Sequence, residues 1–350
     1  MIAFDKDKAY MEVLCQFRKL IDSEYKDGGW LPPVREMSKR FNVSPGTYRK
    51  SVNCMVSESI AESYPRKGIY ILPEKYRIKK IGVVIGDGKE SPYLVEPRTV
   101  SGVIDRLSES KYSIHMIQGS PVANVVRSAV SHYVSGLIWI EPSRDSFDIL
   151  KNINYAKLFP MVVINTRVPS QINDILPEDI PFVSEDHYAR KKMMVDFFLE
   201  RNHKKLGYVG AKLDADITGL TEILHSRGID FDENCCADRF VQDPECVKNM
   251  ILDEGITALI VEGQLRTVEQ IFTGLSMLPA DKQPEVISRE EFTSQSLRDK
   301  YPKVNLIAVS CSRDKKELAM GAVDILLDNL KTPDKIETVK VKSLNIKLIK

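Results

Sequence analysis

The first 72 residues carry the hydrophobic spacing of three short helices. Apolar side chains recur every three or four positions between residues 8 and 24, which predicts an amphipathic helix that Gly28 ends. A second helix is predicted over residues 34–41, followed by Asn42, because asparagine tolerates the left-handed backbone that a tight turn needs. Ser44 is an N-cap candidate, so a third helix is predicted to start directly after it.

The second and third helices are separated by only a few residues, and such a pair predicts a helix-turn-helix. In that motif the second helix of the pair is the recognition helix, which enters the major groove of DNA. Two short strand-like runs follow and are joined by the turn Pro65-Arg66-Lys67-Gly68. This basic hairpin is the expected wing of a winged helix-turn-helix domain.

From residue 80 onward, short apolar runs alternate with amphipathic helical stretches. Strands that alternate with helices predict parallel sheets with helices on both faces. About 270 residues exceed the need of one small sheet, so we expect two α/β lobes with a ligand cleft between them. The apolar runs cover residues 81–85, 112–117, 136–140, 161–165, 205–210, 257–261, 285–288 and 305–309.

These patterns predict an α/β protein with a winged helix-turn-helix head and doubly wound parallel sheets. The proline and the charges of PEKYRIKK indicate a linker between the two modules. The predicted boundaries are residues 1–72 for the head, 73–79 for the linker and 80–350 for the two-lobed domain. Within the latter, lobe 1 is expected to comprise about residues 80–182 and 308–332, and lobe 2 about residues 183–307 and 333–350.

The net charge of +1 conceals an asymmetry between the two modules. Residues 1–80 contain 16 Lys+Arg and 10 Asp+Glu, a net charge of +6, which leaves −5 for the rest of the chain. A basic small domain suits contact with phosphate backbones. The longest apolar runs are about five residues, against the roughly 20 needed to span a bilayer, and the N-terminus has charges where a signal peptide has an apolar core. We therefore expect a cytoplasmic protein with no membrane partner.

The head resembles the GntR family of winged-helix transcription regulators, through LPPVREMSKRFNVSPGTYRKSV and the hairpin ESYPRKGIYIL. The downstream part resembles the LacI/GalR effector domain, a relative of periplasmic sugar-binding proteins, through SEDHYARKKMMVDFFLERNHKKLGYVG and KELAMGAVDILLDNL. Together the chain is similar to the arabinose-repressor subgroup of sugar-responsive regulators. That resemblance implies a repressor that binds operator DNA as a homodimer and responds to a small molecule.

The resemblance also implies which residues meet DNA. An arginine at the start of the second helix is a family contact, hydroxyl groups at a helix start suit phosphates, and arginine can bind guanine through two hydrogen bonds. One departure is Pro45-Gly46-Thr47, where the family often has Arg-Thr-Thr. The candidate DNA-binding residues are Arg35, Ser44, Thr47, Arg49, Lys50, Arg66, Lys67 and Gly68.

Effector contacts are expected on the loops that follow the strand carboxyl ends. Three of these positions depart from the resembled family, because Asp216, Glu262 and Glu290 stand where sugar sites carry an arginine, an Asn-Asp pair and an aspartate. Such acidic replacements disfavour a phosphosugar or a sugar acid and favour a neutral sugar or an amine-bearing ligand. The candidate effector-binding residues are Tyr93, Asn165, Arg167, Asp216, Glu262 and Glu290.

No motif in the sequence places a catalytic set, a metal site or a cofactor cradle. The cysteines show no paired CxxC spacing, and Gly86-Asp87-Gly88 lacks the third glycine of a dinucleotide fingerprint. We therefore expect no enzymatic activity, no metal and no cofactor. Two alternatives stay open, namely an orphan DNA-binding regulator without a cleft ligand and a cytoplasmic solute-binding protein.

Overall fold

The structure of the protein is a computed structural model that divides the chain into two compact units. The first unit holds the N-terminal domain and the first lobe, and the second unit holds the second lobe. In the part of the chain that the structure describes, no helix is long and apolar enough to cross a bilayer. The described residues are 8–85, 97–119, 122–142, 160–165, 180–184, 187–210, 214–238, 243–262, 265–288, 294–312, 315–331 and 346–349.

The N-terminal domain has three helices and a three-stranded antiparallel sheet. The helices are α1 (Lys8–Glu24), α2 (Val34–Arg40) and α3 (Pro45–Ser57), and the strands are β1 (Gly29–Trp30), β2 (Ala61–Tyr64) and β3 (Gly68–Ile71). The predicted apolar stripes form its core, in which Phe17 and Phe41 pack edge to face at 4.8 Å between ring centroids and Tyr48 packs beside Phe17. The predicted winged helix-turn-helix is confirmed, and β1 is an additional short strand.

Two helices of this domain end in the same way. Asn42 (φ 52°) follows α2 and Ser59 (φ 57°) follows α3, each with a left-handed backbone. The amide of Val43 donates to the carbonyl of Ser38, and the amide of Ile60 donates to that of Met55, as in a Schellman cap. The turn between α2 and α3 is therefore fixed by Asn42, as its residue type predicts.

The first lobe is a fully parallel sheet with helices against it. Its strands are β4 (Lys80–Ile85), β5 (Ser113–Gln118), β6 (Val134–Ile140), β7 (Met161–Asn165) and β8 (Phe182–Ser184), in the order β5-β4-β6-β7-β8. The described helices are α4 (Pro97–Ser108), α5 (Val122–Ser131) and, from the far end of the chain, α11 (Lys315–Lys331). The central strands are apolar without alternation, because helices bury both of their faces.

The second lobe repeats this strand order with one addition. Its sheet runs β10-β9-β11-β12-β13-β14, and only β14 is antiparallel. Separate apolar clusters lie on its two faces, one under α8 to α10 and the other under α6 and α7. The strands are β9 (Leu206–Gly210), β10 (Cys236–Asp238), β11 (Ala258–Val261), β12 (Glu285–Ser288), β13 (Leu306–Ser312) and β14 (Ile346–Ile349), and the helices are α6 (His187–Glu200), α7 (Asp214–His225), α8 (Pro244–Glu254), α9 (Leu265–Ser276) and α10 (Ser294–Lys300).

Strand pairing in the structure locates the lobe boundaries, which the sequence predicts only approximately. Strand β13 pairs with β12, so residues 308–312 belong to the second sheet and not to the first lobe. The return to the first lobe comes with α11, which begins at Lys315. Strand β8 keeps the chain in the first sheet as far as Ser184, two residues beyond the predicted boundary. Both differences arise because strand pairing, not the hydrophobic run itself, decides which sheet a segment joins.

A surface cluster in the second lobe predicts a pH-dependent stability. Glu285 accepts hydrogen bonds from Arg201 (Nε at 2.6 Å) and His203 (Nε2 at 2.9 Å), and the bond from Arg201 lowers its pKa to about 2. A depressed carboxyl pKa stabilises the fold above the unfolded pKa of about 4.5 and loses that contribution as the pH falls toward 2. Glu285→Gln should therefore cost about 1 kcal/mol at pH 7 and almost nothing at pH 2, measured by urea unfolding. An equal loss at both pH values would contradict the assignment.

Candidate nucleic-acid interface

The recognition helix α3 begins with a side-chain cap. The Oγ of Ser44 accepts a hydrogen bond from the amide of Thr47 at 3.1 Å and lies 3.0 Å from the Thr47 hydroxyl. Pro45 occupies the first helical position, where its missing N–H has no partner to lose. The cap leaves the exposed start of α3 ordered, so the hydroxyl pair predicted to meet phosphate also fixes the helix that carries it.

The loss of this cap has a measurable cost. Ser44→Ala removes the acceptor for the Thr47 amide and should lower the free energy of unfolding by about 1 kcal/mol. Chemical unfolding of the full chain measures the change. Ser57→Ala, at the other end of α3, is the matched control because the Ser57 hydroxyl donates only to the Cys54 carbonyl. A loss no larger than that of the control would mean that the cap does not hold α3.

Four of the predicted DNA contacts are exposed basic side chains without an internal partner. Arg35 lies in the first turn of α2, Arg49 in the second turn of α3, and Arg66 and Lys67 at the wing tip. No hydrogen bond or ion pair joins these four side chains to any residue that the structure describes. By contrast, the guanidinium of Arg40 is occupied, since its Nη2 donates to Glu24 at 2.6 Å. Within this domain, the structure therefore distinguishes basic side chains that are available to bind DNA from Arg40, which is already paired.

The other predicted contacts are placed differently. The ammonium of Lys50 lies 4.3 Å from the centroid of the Tyr10 ring, so it is directed toward α1. At the wing, Arg66 (φ 65°) and Gly68 (φ 111°) both have left-handed backbones, and the amide of Lys67 donates to the Tyr64 carbonyl at 3.1 Å. Glycine suits this turn because L side chains rarely adopt such a conformation.

An aromatic cluster beside the wing has no counterpart in the sequence-based prediction. Trp30 packs edge to face on Tyr64 and Tyr70 at 5.4 and 5.2 Å between centroids, and its side chain is 48% exposed. The pairing of Trp30 with Tyr70 across β1 and β3 brings the rings together. Strand β1 has only two residues, too few for an alternating pattern to reveal it.

Of the predicted effector contacts, the side chain of Glu262 is the one that the structure describes. It follows β11 and is buried, at 6% exposure. Its Oε1 accepts from Arg190 (Nη2 at 3.0 Å) and its Oε2 accepts from the Tyr208 hydroxyl at 2.8 Å. Arg190 also donates to Nδ1 of His187 at 2.8 Å. Both carboxylate oxygens of Glu262 therefore already have strong partners inside the second lobe.

The remaining effector predictions are not described to the same extent. Tyr93, Arg167 and Glu290 lie outside the described residues. Asn165 ends β7 and Asp216 lies in the first turn of α7, and only the backbone of each is described. Among the described residues, no group of three His, Cys, Asp or Glu side chains is arranged to hold a metal ion.

Comparison with known proteins agrees with the two parts of this chain. Residues 9–71 match the family model for bacterial regulatory proteins of the gntR family. A search of curated protein sequences finds no match. Solved structures do match, and their TM-scores show a shared fold.

One such structure is the transcription regulator CcpA of Lactococcus lactis, with a TM-score of 0.56 and 18% identity over 78% of this chain and 98% of that chain. The regulator CelR in complex with cellobiose has a TM-score of 0.56 and 12% identity over 91% of this chain and 98% of that chain. The lac repressor dimer bound to operator and the anti-inducer ONPF has a TM-score of 0.54 and 16% identity over 78% and 93% of the two chains. The N-terminal domain therefore matches the gntR family model, and it is joined in one chain to two α/β lobes that share the fold of these regulator structures.

Proposed function

We propose that this protein is a ligand-responsive transcription regulator that binds operator DNA through its N-terminal domain. The observation that carries the proposal is the set of exposed, unpaired cations on the GntR-family domain. Arg35, Arg49, Arg66 and Lys67 project from α2, the recognition helix and the wing tip. Unpaired basic side chains at these places suit phosphate and base-edge contacts, because no internal ion pair must be broken when DNA binds.

We further propose that the two lobes bind a small molecule that controls DNA affinity. CelR was solved with cellobiose and the lac repressor with an anti-inducer, and both share the lobe fold. For this chain a neutral sugar or an amine-bearing ligand is favoured over an anionic one, owing to the acidic Asp216 and Glu290, whereas the charge of Glu262 is already paired with Arg190. The remaining proposed contacts are Tyr93, Asn165 and Arg167.

The proposed mechanism is linkage between the two binding events. A ligand that binds one arrangement of a cytoplasmic homodimer more tightly than another shifts the population toward the first arrangement. If the two arrangements set different separations of the recognition helices, only one matches half-sites in successive major grooves. Repression follows when the operator overlaps a promoter.

The test is selection of genomic fragments by the purified full-length protein at several salt concentrations. We expect a palindromic motif whose affinity falls steeply with salt, since several phosphate contacts release counterions. Enriched fragments are then retested with neutral sugars, amino sugars and sugar acids, and release by one compound identifies the effector class. An affinity unmoved by every compound supports the orphan regulator instead. Absence of enrichment at every salt concentration would refute DNA recognition and favour a solute-binding protein.

A further inference from the structure

Three consecutive residues of the first lobe contact the N-terminal domain. We define residues 131–133, at the end of α5 and before β6, as the docking segment. The Ser131 carbonyl accepts a hydrogen bond from the Cys54 thiol at 3.0 Å. The Nδ1 of His132 lies 2.8 Å from the Glu58 carboxylate, and α5 packs against α1. Tyr133 completes the segment, so each of its residues faces the N-terminal domain.

The partner of this segment is the carboxyl end of the recognition helix. Glu58 is the C-cap residue of α3, and its side chain is only 10% exposed. One carboxylate oxygen meets His132, and the other accepts a hydrogen bond from Lys80, the first residue of β4. Burial opposes the charged form, but the two hydrogen bonds outweigh it and hold the pKa of Glu58 below its ordinary value. A charged Glu58 thus joins two separate points of the first lobe to α3.

Tyr133 contributes to the contact between the docking segment and the N-terminal domain although its own conformation is energetically unfavourable. Its φ of 50° is left-handed, a conformation that bulky L residues rarely adopt and that persists only where the surroundings enforce it. The side chain is 9% exposed. Its hydroxyl is buried without a hydrogen-bond partner among the described residues, within electrostatic range of Arg18 and Cys54. A strained backbone and a buried hydroxyl are retained together at this one place.

The geometry points to a coupling contact, in which His132 and Lys80 bind the Glu58 carboxylate and Ser131 accepts a hydrogen bond from Cys54. Together these contacts hold the recognition helix in a fixed orientation on the first lobe. On this inference, residues 73–79 are not a free tether, because the domains on either side of them are joined directly. Glu58 is then a positioning residue that does not touch DNA but transmits the state of the lobe to α3. The transmission of an effector signal rests on the proposed function, whereas the docking itself does not.

Docking is tested without DNA by hydrogen exchange and mass spectrometry on the full chain. Glu58→Gln weakens the contact from the α3 side, and peptides covering residues 128–136 of the first lobe should exchange about tenfold faster. Glu24→Gln is the matched control, since it removes a carboxylate whose partner, Arg40, lies in the same domain. Unchanged exchange in residues 128–136 of Glu58→Gln would overturn the docking.

The reciprocal variants are made in the docking segment. Tyr133→Ala should accelerate exchange at residues 54–60, which include the end of α3. Because alanine is smaller than tyrosine, a steric clash at the strained position cannot cause this effect. Tyr133→Phe keeps the ring and removes only the unpartnered hydroxyl, so exchange there should stay at the wild-type rate or slow. If Tyr133→Ala leaves residues 54–60 unchanged, the two domains are not joined at this segment.

Signal transmission is tested separately, with the operator and effector identified by fragment selection. Glu58→Gln should keep operator affinity within about threefold of wild type but reduce effector-induced release at least about tenfold. A full response in a variant with accelerated exchange would overturn the coupling while leaving the docking intact. If the chain binds no DNA at all, the proposed function fails, and the exchange results still decide the docking.

Discussion

Replacing Arg190 by methionine is expected to lower the stability of the second lobe by about 3–5 kcal/mol. Arg190 is 1% exposed, and its guanidinium donates to the Glu262 carboxylate through both Nε (3.2 Å) and Nη2 (3.0 Å). Without it, the buried carboxylate loses its guanidinium partner and keeps the hydrogen bond from the Tyr208 hydroxyl. The removal of the buried positive charge that faces Glu262, more than the lost hydrogen bonds, causes the loss. Urea unfolding followed by far-UV circular dichroism measures it.

Two further variants separate this cause from a general effect of losing an arginine. Arg227→Met breaks a pair with Asp196 that water screens, so its loss should be much smaller. The double variant Arg190→Met with Glu262→Leu removes both charges and should recover most of the stability. If Arg190→Met costs no more than Arg227→Met, the buried pair is solvated and the reasoning about Glu262 fails.

Most of the fold could be predicted because each signal was local. The helical stripe of α1 and the left-handed preference of Asn42 are properties of a few neighbouring residues, and both have the predicted structure. All eight apolar runs coincide with strands, of which seven are central and one, β5, lies at a sheet edge. Strands β8, β10 and β14, which lie at sheet edges, escaped prediction because three or four residues are too few to show a periodic pattern.

The contacts that define the candidate sites could not be predicted in this way. Arg190 and Glu262 are 72 residues apart in sequence, and nothing near either residue reveals the pair. Glu58 and His132 are 74 residues apart, and each reads locally as an ordinary solvated side chain. The charge of a residue can be read from the sequence. Whether an internal ion pair involves that charge depends on how distant elements pack together.

That distinction decides which cation should matter most for DNA. Arg49→Ala is expected to weaken operator binding by about 1–3 kcal/mol, because an arginine on the recognition helix can bind a guanine edge through two hydrogen bonds. The Arg49 side chain is exposed and unpaired among the described residues, so no internal contact competes with DNA. Fluorescence anisotropy with a labelled operator measures the change.

The matched control is Arg40→Ala, which also removes an arginine from the helix-turn-helix. This arginine already forms an ion pair with Glu24. Its effect on operator binding should be small. If Arg49 contacts a base, the variant should no longer discriminate among bases at one operator position. For operators altered at any other position, its affinity should fall by the same factor. A phosphate contact predicts instead a uniform loss across sequences and a salt slope reduced by about one. Binding equal to that of Arg40→Ala would place Arg49 outside the interface, and the orientation of α3 on DNA would have to be reassigned.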